Sequence, residues 1–449
     1  MQFRHGPELA ALSDALEILQ AGFADLPDVD AYYGLDGVAA VLSEAARRMQ
    51  DNYPYQHPDY AGQMLKPPHP VARLAYALSL WLNPNNHALD GGKASSAMEM
   101  ESVAAIARMF GMQQFLGHLC GGGTMANLEA LWVASRRRPG RIVASSQAHY
   151  THGRLSDVLN LEFTEVPAGA TGSMDLVPLR EALEKHDVGT VVATLGTTGV
   201  GAVDPLADIL ELRDEFGFRV HVDAAYGGYF RIASELNDSV RRHYDGIAQA
   251  DSIVVDPHKH GLQPYGCGCV LFRDPEVGTL YKHDSGYTYF TSSELHLGEI
   301  SLECSRPGAA AVALWATQRL LPMDPGGAFA GGLDRSLLAG RALWWSVSET
   351  DGYVALMPPE LDIVVFGVKA DDAATASERA RTVFERAASR SLHLALIDLP
   401  VAMVSPYWPR LEANRDSVTC LRSCLMKPEH LDRVDEMRAT LDMLVRGWT

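Results

Sequence analysis

Apolar residues recur at helical spacing through ELAALSDALEILQAGF (8–23) and GVAAVLSEAARRMQ (37–50), which predicts amphipathic helices in the first stretch of the chain. NYPYQHPDY (52–60) then breaks the pattern with prolines and aromatics. Further on, helical and strand patterns alternate. MEMESVAAIARMFG (98–111) and TMANLEALWVASRRR (124–138) read as helices, the second with arginines in its last turn, where they favour the helix dipole. RIVASS, LEFTEVP, GTVVATLG, FRVHVDAAY, DSIVVDP and GCVLFRD are short runs rich in valine and isoleucine, and LVPLREALEKH and DPLADILELRDEFG separate several of them. Strands alternating with helices of this length predict an α/β fold with a mainly parallel central sheet covered on both faces. DPGGAFAGGL (324–333) is a Gly-rich break. A long helix, the strand patterns DIVVFGV, LHLALIDL and VTCLRSCLM, and a final helix PEHLDRVDEMRATLDMLVRG follow it as a smaller α+β C-terminal domain. The expected division is an N-terminal helical segment over 1–62, a large domain over 63–325 and a small domain over 326–449.

Composition narrows the function classes. The chain has 449 residues, 47% hydrophobic and 21% charged, as in an ordinary globular protein. Its 38 Lys plus Arg against 56 Asp plus Glu, a net charge of -18, argue against a nucleic-acid partner, because such a surface repels phosphate backbones. Any anionic ligand must meet a local cluster of donors. The six cysteines are scattered, mostly in apolar runs, and read as buried thiols in preference to a disulfide framework or a metal site. No apolar run approaches the roughly 18 residues of a membrane span, and the first residues lack a signal-peptide core. The cytoplasm is the expected compartment.

Four predicted strand ends carry unusual chemistry. GGGTMANLEAL (121–131) opens a helix with three glycines and a threonine, and free N–H groups at the positive end of a helix dipole suit a phosphate. A plain turn before a helix reads equally well there. The next strand ends in serines where a dinucleotide site wants an acid, which disfavours a nicotinamide cofactor. In AHYTHGRL (148–155), His149 can stack on a planar ligand or move a proton, although a lone loop histidine is more often a satisfied structural group. Asp223 ends the strand-like FRVHV; its half-buried carboxylate needs a donor partner, such as a protonated heteroaromatic nitrogen, or else caps a helix. Lys259 follows DSIVVDPH, where a working amine competes with an ordinary solvated lysine. A phosphate cradle, a ring-stacking histidine, an acid for a ring nitrogen and a lysine for an aldehyde together match pyridoxal 5'-phosphate.

In their order and wording, HVDAAYGG followed by DPHK, with ATLGTTGVGAVDP upstream, resemble the group II pyridoxal-phosphate-dependent decarboxylases of aromatic amino acids, glutamate, histidine and tyrosine. The resemblance runs from HPDYAGQM near 57 to CLRSCLMKPEH near 429. It implies the fold-type-I aminotransferase-like architecture, with the cofactor in the large domain. It also implies a Schiff base on Lys259, Asp223 paired with the pyridinium nitrogen, His149 stacked on the ring and Ala225 against its opposite face. Gly123, Thr124 and His258 would bind the phosphate, and Thr198 would lie near the ring substituents. Arg422 is the candidate for the substrate α-carboxylate, against the reading of a surface arginine, and His57 with Tyr60 and the 282–299 segment would shape the side-chain pocket. A homodimer with its site at the subunit interface is likewise implied.

The resulting expectation is a PLP-dependent carboxy-lyase that converts an L-amino acid into an amine and carbon dioxide. KHDSGYTYFTSSELHLGE (282–299) resembles the family's catalytic loop, with Tyr289 as the candidate proton donor to Cα, Tyr287 close by, and His149 as another donor. Asp256 stands where the best-known aromatic decarboxylases carry asparagine, and LECSRPGAAAVALW (302–315) is more similar to archaeal-type tyrosine or aspartate decarboxylases and, in part, to sphingosine-phosphate lyases. A carbon–carbon lyase acting on a phosphorylated amino alcohol is therefore the enzymatic rival. It would need a second basic patch, and no such cluster stands out in the sequence. A cofactor-binding regulatory or scaffold protein is the non-enzyme alternative.

Overall fold

The computed structural model describes residues 5–29, 32–87, 89–281 and 300–446. The candidate donors Tyr287 and Tyr289 and the rest of the 282–299 segment lie outside the described residues. Helices α1 (Gly6–Ala21) and α2 (Val38–Met49) lead the chain, and neither buries a residue. Helix α3 (Pro70–Ser79) starts where the His69 imidazole accepts the Val71 N–H and Pro70 takes the first turn. Helix α4 (Leu89–Phe110) follows.

The central sheet has seven strands: β1 (Leu116–Cys120), β2 (Arg141–Ser145), β3 (Phe163–Val166), β4 (Val188–Thr194), β5 (Arg219–Asp223), β6 (Ser252–Val255) and β7 (Gly268–Phe272). Their order is β1-β7-β6-β5-β4-β2-β3, and only β7 runs against the rest. Crossovers run through α5 (Gly123–Arg137), α6 (Thr151–Val158), α7 (Leu176–Lys185), α8 (Leu206–Phe216) and α9 (Asp238–Asp245). Every residue of β4, β6 and β7 is buried, which explains the unbroken valine and isoleucine runs of a sheet covered on both faces. Strand β1 ends at the glycine cradle, but no valine- and isoleucine-rich run marks it, because its sequence is LGHLC. Its Gly117 is required by packing, since a Cβ there would lie 2.5 Å from Leu271 Cδ2.

Helix α10 (Gly308–Leu320) leads to α11 (Ala328–Glu349) and a second sheet, β8 (Tyr353–Ala355), β9 (Ile363–Val368), β10 (Ala395–Pro400) and β11 (Ser417–Cys424), antiparallel in the order β10-β11-β9-β8. Helices α12 (Ala373–Ala388), α13 (Val401–Val404) and α14 (Val434–Val445) complete the chain. Two expectations are corrected. The Gly-rich stretch 324–333 is a break only in its first part; Ala328–Leu333 is already helical, and Gly332 fits because a Cβ would meet Pro428 at 3.3 Å. The final helix is shorter than its pattern, because Pro428–Arg433 forms a 3-10 turn ahead of α14.

Candidate active site

The ladder pairs Thr194 with Asp223 and Asp223 with Val254, so the carboxyl ends of β4, β5 and β6 lie level. Ligands in open α/β sheets bind beyond that edge. There a cavity of about 510 Å³ opens, lined by Gly123 and Thr124 after β1, His149 after β2, Thr198 after β4, Asp223 and Ala225 at β5, and His258 and Lys259 after β6. Residues drawn from five separate stretches of sequence thus face one space.

Chain reversal after β6 brings the lysine in. Asp256-Pro257-His258-Lys259 is a turn closed by the Lys259 N–H donating to the Asp256 carbonyl at 2.9 Å, with proline at its second position. The Lys259 ammonium lies 3.1 Å from Asp256 Oδ2, and His258 anchors its Nδ1 on the Cys267 carbonyl at 2.7 Å. Asp256 is buried, with its second oxygen unpaired among the described residues.

The glycine cradle depends on close backbone approach. Gly122 caps α5 at φ 141, a Cβ on Gly123 would come within 2.8 Å of Asp256 Oδ2, and one on Gly268 would sit 2.6 Å from the Gly122 backbone. The Gly121 N–H at the cradle's mouth donates to the Glu303 carboxylate at 2.9 Å, so this backbone already receives an anionic oxygen.

Asp223 is 4% exposed and held on three sides. Its Oδ2 accepts from His152 Nε2 at 2.8 Å and Asn127 Nδ2 at 3.2 Å, while Oδ1 accepts the Ala225 N–H at 3.1 Å. Burial alone would raise its carboxyl; the His152 hydrogen bond and charge, with Lys259 beyond, override burial and hold it well below the ordinary carboxylate range. Behind Asn127, His221 Nε2 lies 2.8 Å from Asn127 Oδ1, and burial pushes that imidazole down to about 3. His149 packs its ring against Tyr150 with centroids 4.4 Å apart, and burial lowers its imidazole from the usual value.

Three expected residues, His57, Tyr60 and Arg422, are not in this lining. His57 is partly exposed beside Asp59 at 3.5 Å. Arg422, on β11, is buried and not at the surface; its Nη1 lies 3.4 Å from Gln63 Oε1, while Nε and Nη2 have no hydrogen-bond partner among the described residues. The sequence reasoning missed His152, Asn127 and Tyr226. His152 follows His149 at a spacing of three, the one signal that could have found it.

The pyridoxal-dependent decarboxylase conserved domain matches residues 135–324. A probable L-tyrosine/L-aspartate decarboxylase of Methanothrix thermoacetophila is 33% identical over 260 residues, 57% of this chain and 65% of that protein. An L-tyrosine decarboxylase of Enterococcus faecium is 26% identical over 391 residues, 64% of each chain. The chain thus spans just under two thirds of both relatives. The crystal structure of mouse CSAD superposes with a TM-score of 0.78 at 21% identity, covering 96% of this chain and 91% of that one, a likeness of fold.

Proposed function

We propose that this chain, which belongs to the family of pyridoxal-dependent decarboxylases, removes the α-carboxylate of an L-amino acid as carbon dioxide and releases the amine. The observation that carries the reading is the pairing of an amine and a buried, ionised carboxylate, Lys259 and Asp223, across one cavity with a glycine cradle. The residues present fit pyridoxal 5'-phosphate: an amine for the aldehyde, N–H groups and His258 for the phosphate, a carboxylate for the ring nitrogen and an imidazole for the ring face. Bound there, the cofactor supplies an electron sink for the pair left on Cα when its bond to the carboxylate breaks.

The side chains do the rest. Lys259 would hold the cofactor's aldehyde. Asp223 keeps a proton on the pyridine nitrogen, and His152, Asn127 and the Ala225 N–H keep Asp223 ionised and aimed. Gly123, Thr124 and His258 would hold the phosphate, and His149, Ala225 and Thr198 would hold the ring. Arg422, with two unpaired guanidinium nitrogens, receives a carboxylate of the substrate. His57 belongs to the wall of the side-chain pocket in this reading. Tyr289 returns the proton to Cα, with His149 as the other candidate. The proposed division is an N-terminal helical segment over 1–62, a large cofactor-binding domain over 63–325 and a small C-terminal domain over 326–449.

The same reading makes the protein a cytoplasmic homodimer with the site at the subunit interface. Its support is the arm: Leu26, Val29, Tyr32, Tyr33, Leu35 and Met49 all stand more than half exposed, more apolar surface than a lone soluble chain ordinarily presents to water. L-Tyrosine and L-aspartate, named for the relatives, are the first substrates to try. Incubating the cofactor-loaded protein with each of the twenty amino acids, scoring amine and carbon dioxide, tests the function. Carbon dioxide from one or two of them is expected, and none from any would refute decarboxylation.

A further inference from the structure

A second cavity, of about 700 Å³, lies on the other side of the catalytic lysine's turn, and its lining shares no residue with the first. Its size is that of a small-molecule site, for which about 300–1,000 Å³ is usual. The walls divide by chemistry. Leu262, Phe329 and Leu333 form an apolar side, while Lys66, Lys427 and His260 form a cationic or donor side.

The two ammonium groups are unusual. Lys427 is 3% exposed and donates to the Tyr60 carbonyl at 2.6 Å; Lys66, partly buried, donates to the Met426 carbonyl at 3.3 Å. No carboxylate among the described residues lies within ion-pair reach of either. Arg73, at the rim, is by contrast already satisfied by Glu8 at 3.0 Å. Each lysine ammonium has three N–H donors, so most of their capacity is unspent. Asp362 and Glu429 favour these charges only from beyond contact distance; enclosed like charges with no anion in contact are costly, and an anion between them would offset that cost. Burial pushes the Lys66 ammonium down to about 8 and that of Lys427 down to about 7, with the charge of Lys66 adding to the second shift.

Two further features point the same way. His260 is 1% exposed, lines the cavity, and has a ring Nδ1 with no hydrogen-bond partner among the described residues. Leu262 holds a left-handed backbone, φ 63, which a branched apolar residue avoids, and its carbonyl is tied to the His69 N–H at 2.9 Å.

We propose that this cavity is a binding site for an organic carboxylate, its anionic head between Lys66 and Lys427 and its apolar body against Leu262, Phe329 and Leu333. Neither hydrophobic burial nor charge alone accounts for a space with one apolar wall and, facing it, two ammonium groups that no carboxylate among the described residues reaches as an ion pair. The site stands apart from the decarboxylase reading and does not depend on it.

Titration calorimetry of the cofactor-loaded full chain with 3-phenylpropionate is the test. Saturable one-to-one binding is expected, weakened tenfold or more by Lys427→Met and by Lys66→Met. The neutral isostere 3-phenylpropanol should not bind. Glu429, also in the lining, repels the ligand, so Glu429→Gln should tighten binding about threefold, the size expected for one partly screened charge. A misfolded variant cannot produce that gain. The assignment is overturned by absence of binding, by binding unchanged in both lysine variants, by displacement with a decarboxylation substrate, or by inorganic phosphate binding more tightly than the carboxylate.

Discussion

At Asp223, burial and hydrogen bonding pull in opposite directions, and the hydrogen bonds win. Three donors compensate the desolvated charge, so the carboxylate is available to hold a proton on a partner nitrogen. Asp223→Asn keeps the shape and removes the charge; kcat should fall on the order of 10²–10³-fold with cofactor still bound, as for loss of one preorganised electrostatic contact. Steady-state kinetics alongside cofactor absorbance separates the two effects. His221, behind Asn127, titrates at about 3 when folded against an ordinary 6.5. The unfolded chain therefore binds a proton that the folded chain refuses, and stability falls as pH drops from about 6.5 toward 3. The slope from this one group reaches about 1.4 kcal/mol per pH unit. Denaturant titrations of His221→Gln between pH 4 and 7 should show a shallower slope than those of the natural protein. Lysine and aspartate were legible in the sequence because a charged side chain ending an apolar strand run demands a reason. His152 and Asn127 were not, because polar residues in a helix that faces the sheet look like any others until the fold brings them to Asp223.

Elements set the spacing between these groups. Strands β4 and β6 were readable because burial on both faces leaves valine- and isoleucine-rich runs, and the parallel register of β4 to β6 delivers Asp223 and Lys259 to one edge. Strand β1 was hidden by Gly117 and His118: the glycine is demanded by Leu271, and the buried histidine pairs with Glu129 at 3.0 Å inside the protein. Gly332 within α11 misled for a related reason, since close packing against Pro428 uses the same residue that usually signals a break. The cradle depends on such contacts. Gly268→Val would drive a side chain into the Gly122 backbone, costing about 1–3 kcal/mol through overpacking. Its effect should appear as weaker cofactor binding, roughly tenfold or more in the dissociation constant, measured by fluorescence titration. An equal affinity would show that the cradle tolerates the shift.

For the molecule as a whole, the two sheets and their helices form buried cores, while the leading arm of α1 and α2 buries none of its own residues. Apolar surface of that kind is stable in water when a second copy covers it. Deleting residues 1–50 should therefore give monomers with little or no activity, read by light scattering and carbon dioxide release; a fully active dimer would remove the arm from the interface. The net charge of -18 makes the local cations more telling, because Lys259, Lys66 and Lys427 sit enclosed in a chain whose overall balance is acidic. One of them, Lys259, carries the proposed chemistry. Borohydride reduction of the cofactor-loaded protein, followed by digestion and peptide mass mapping, reads it directly. A reduced pyridoxal phosphate mass is expected on the peptide that contains Lys259 and is lost in Lys259→Ala; the same mass on another lysine, or on none, would show that Lys259 does not carry the cofactor.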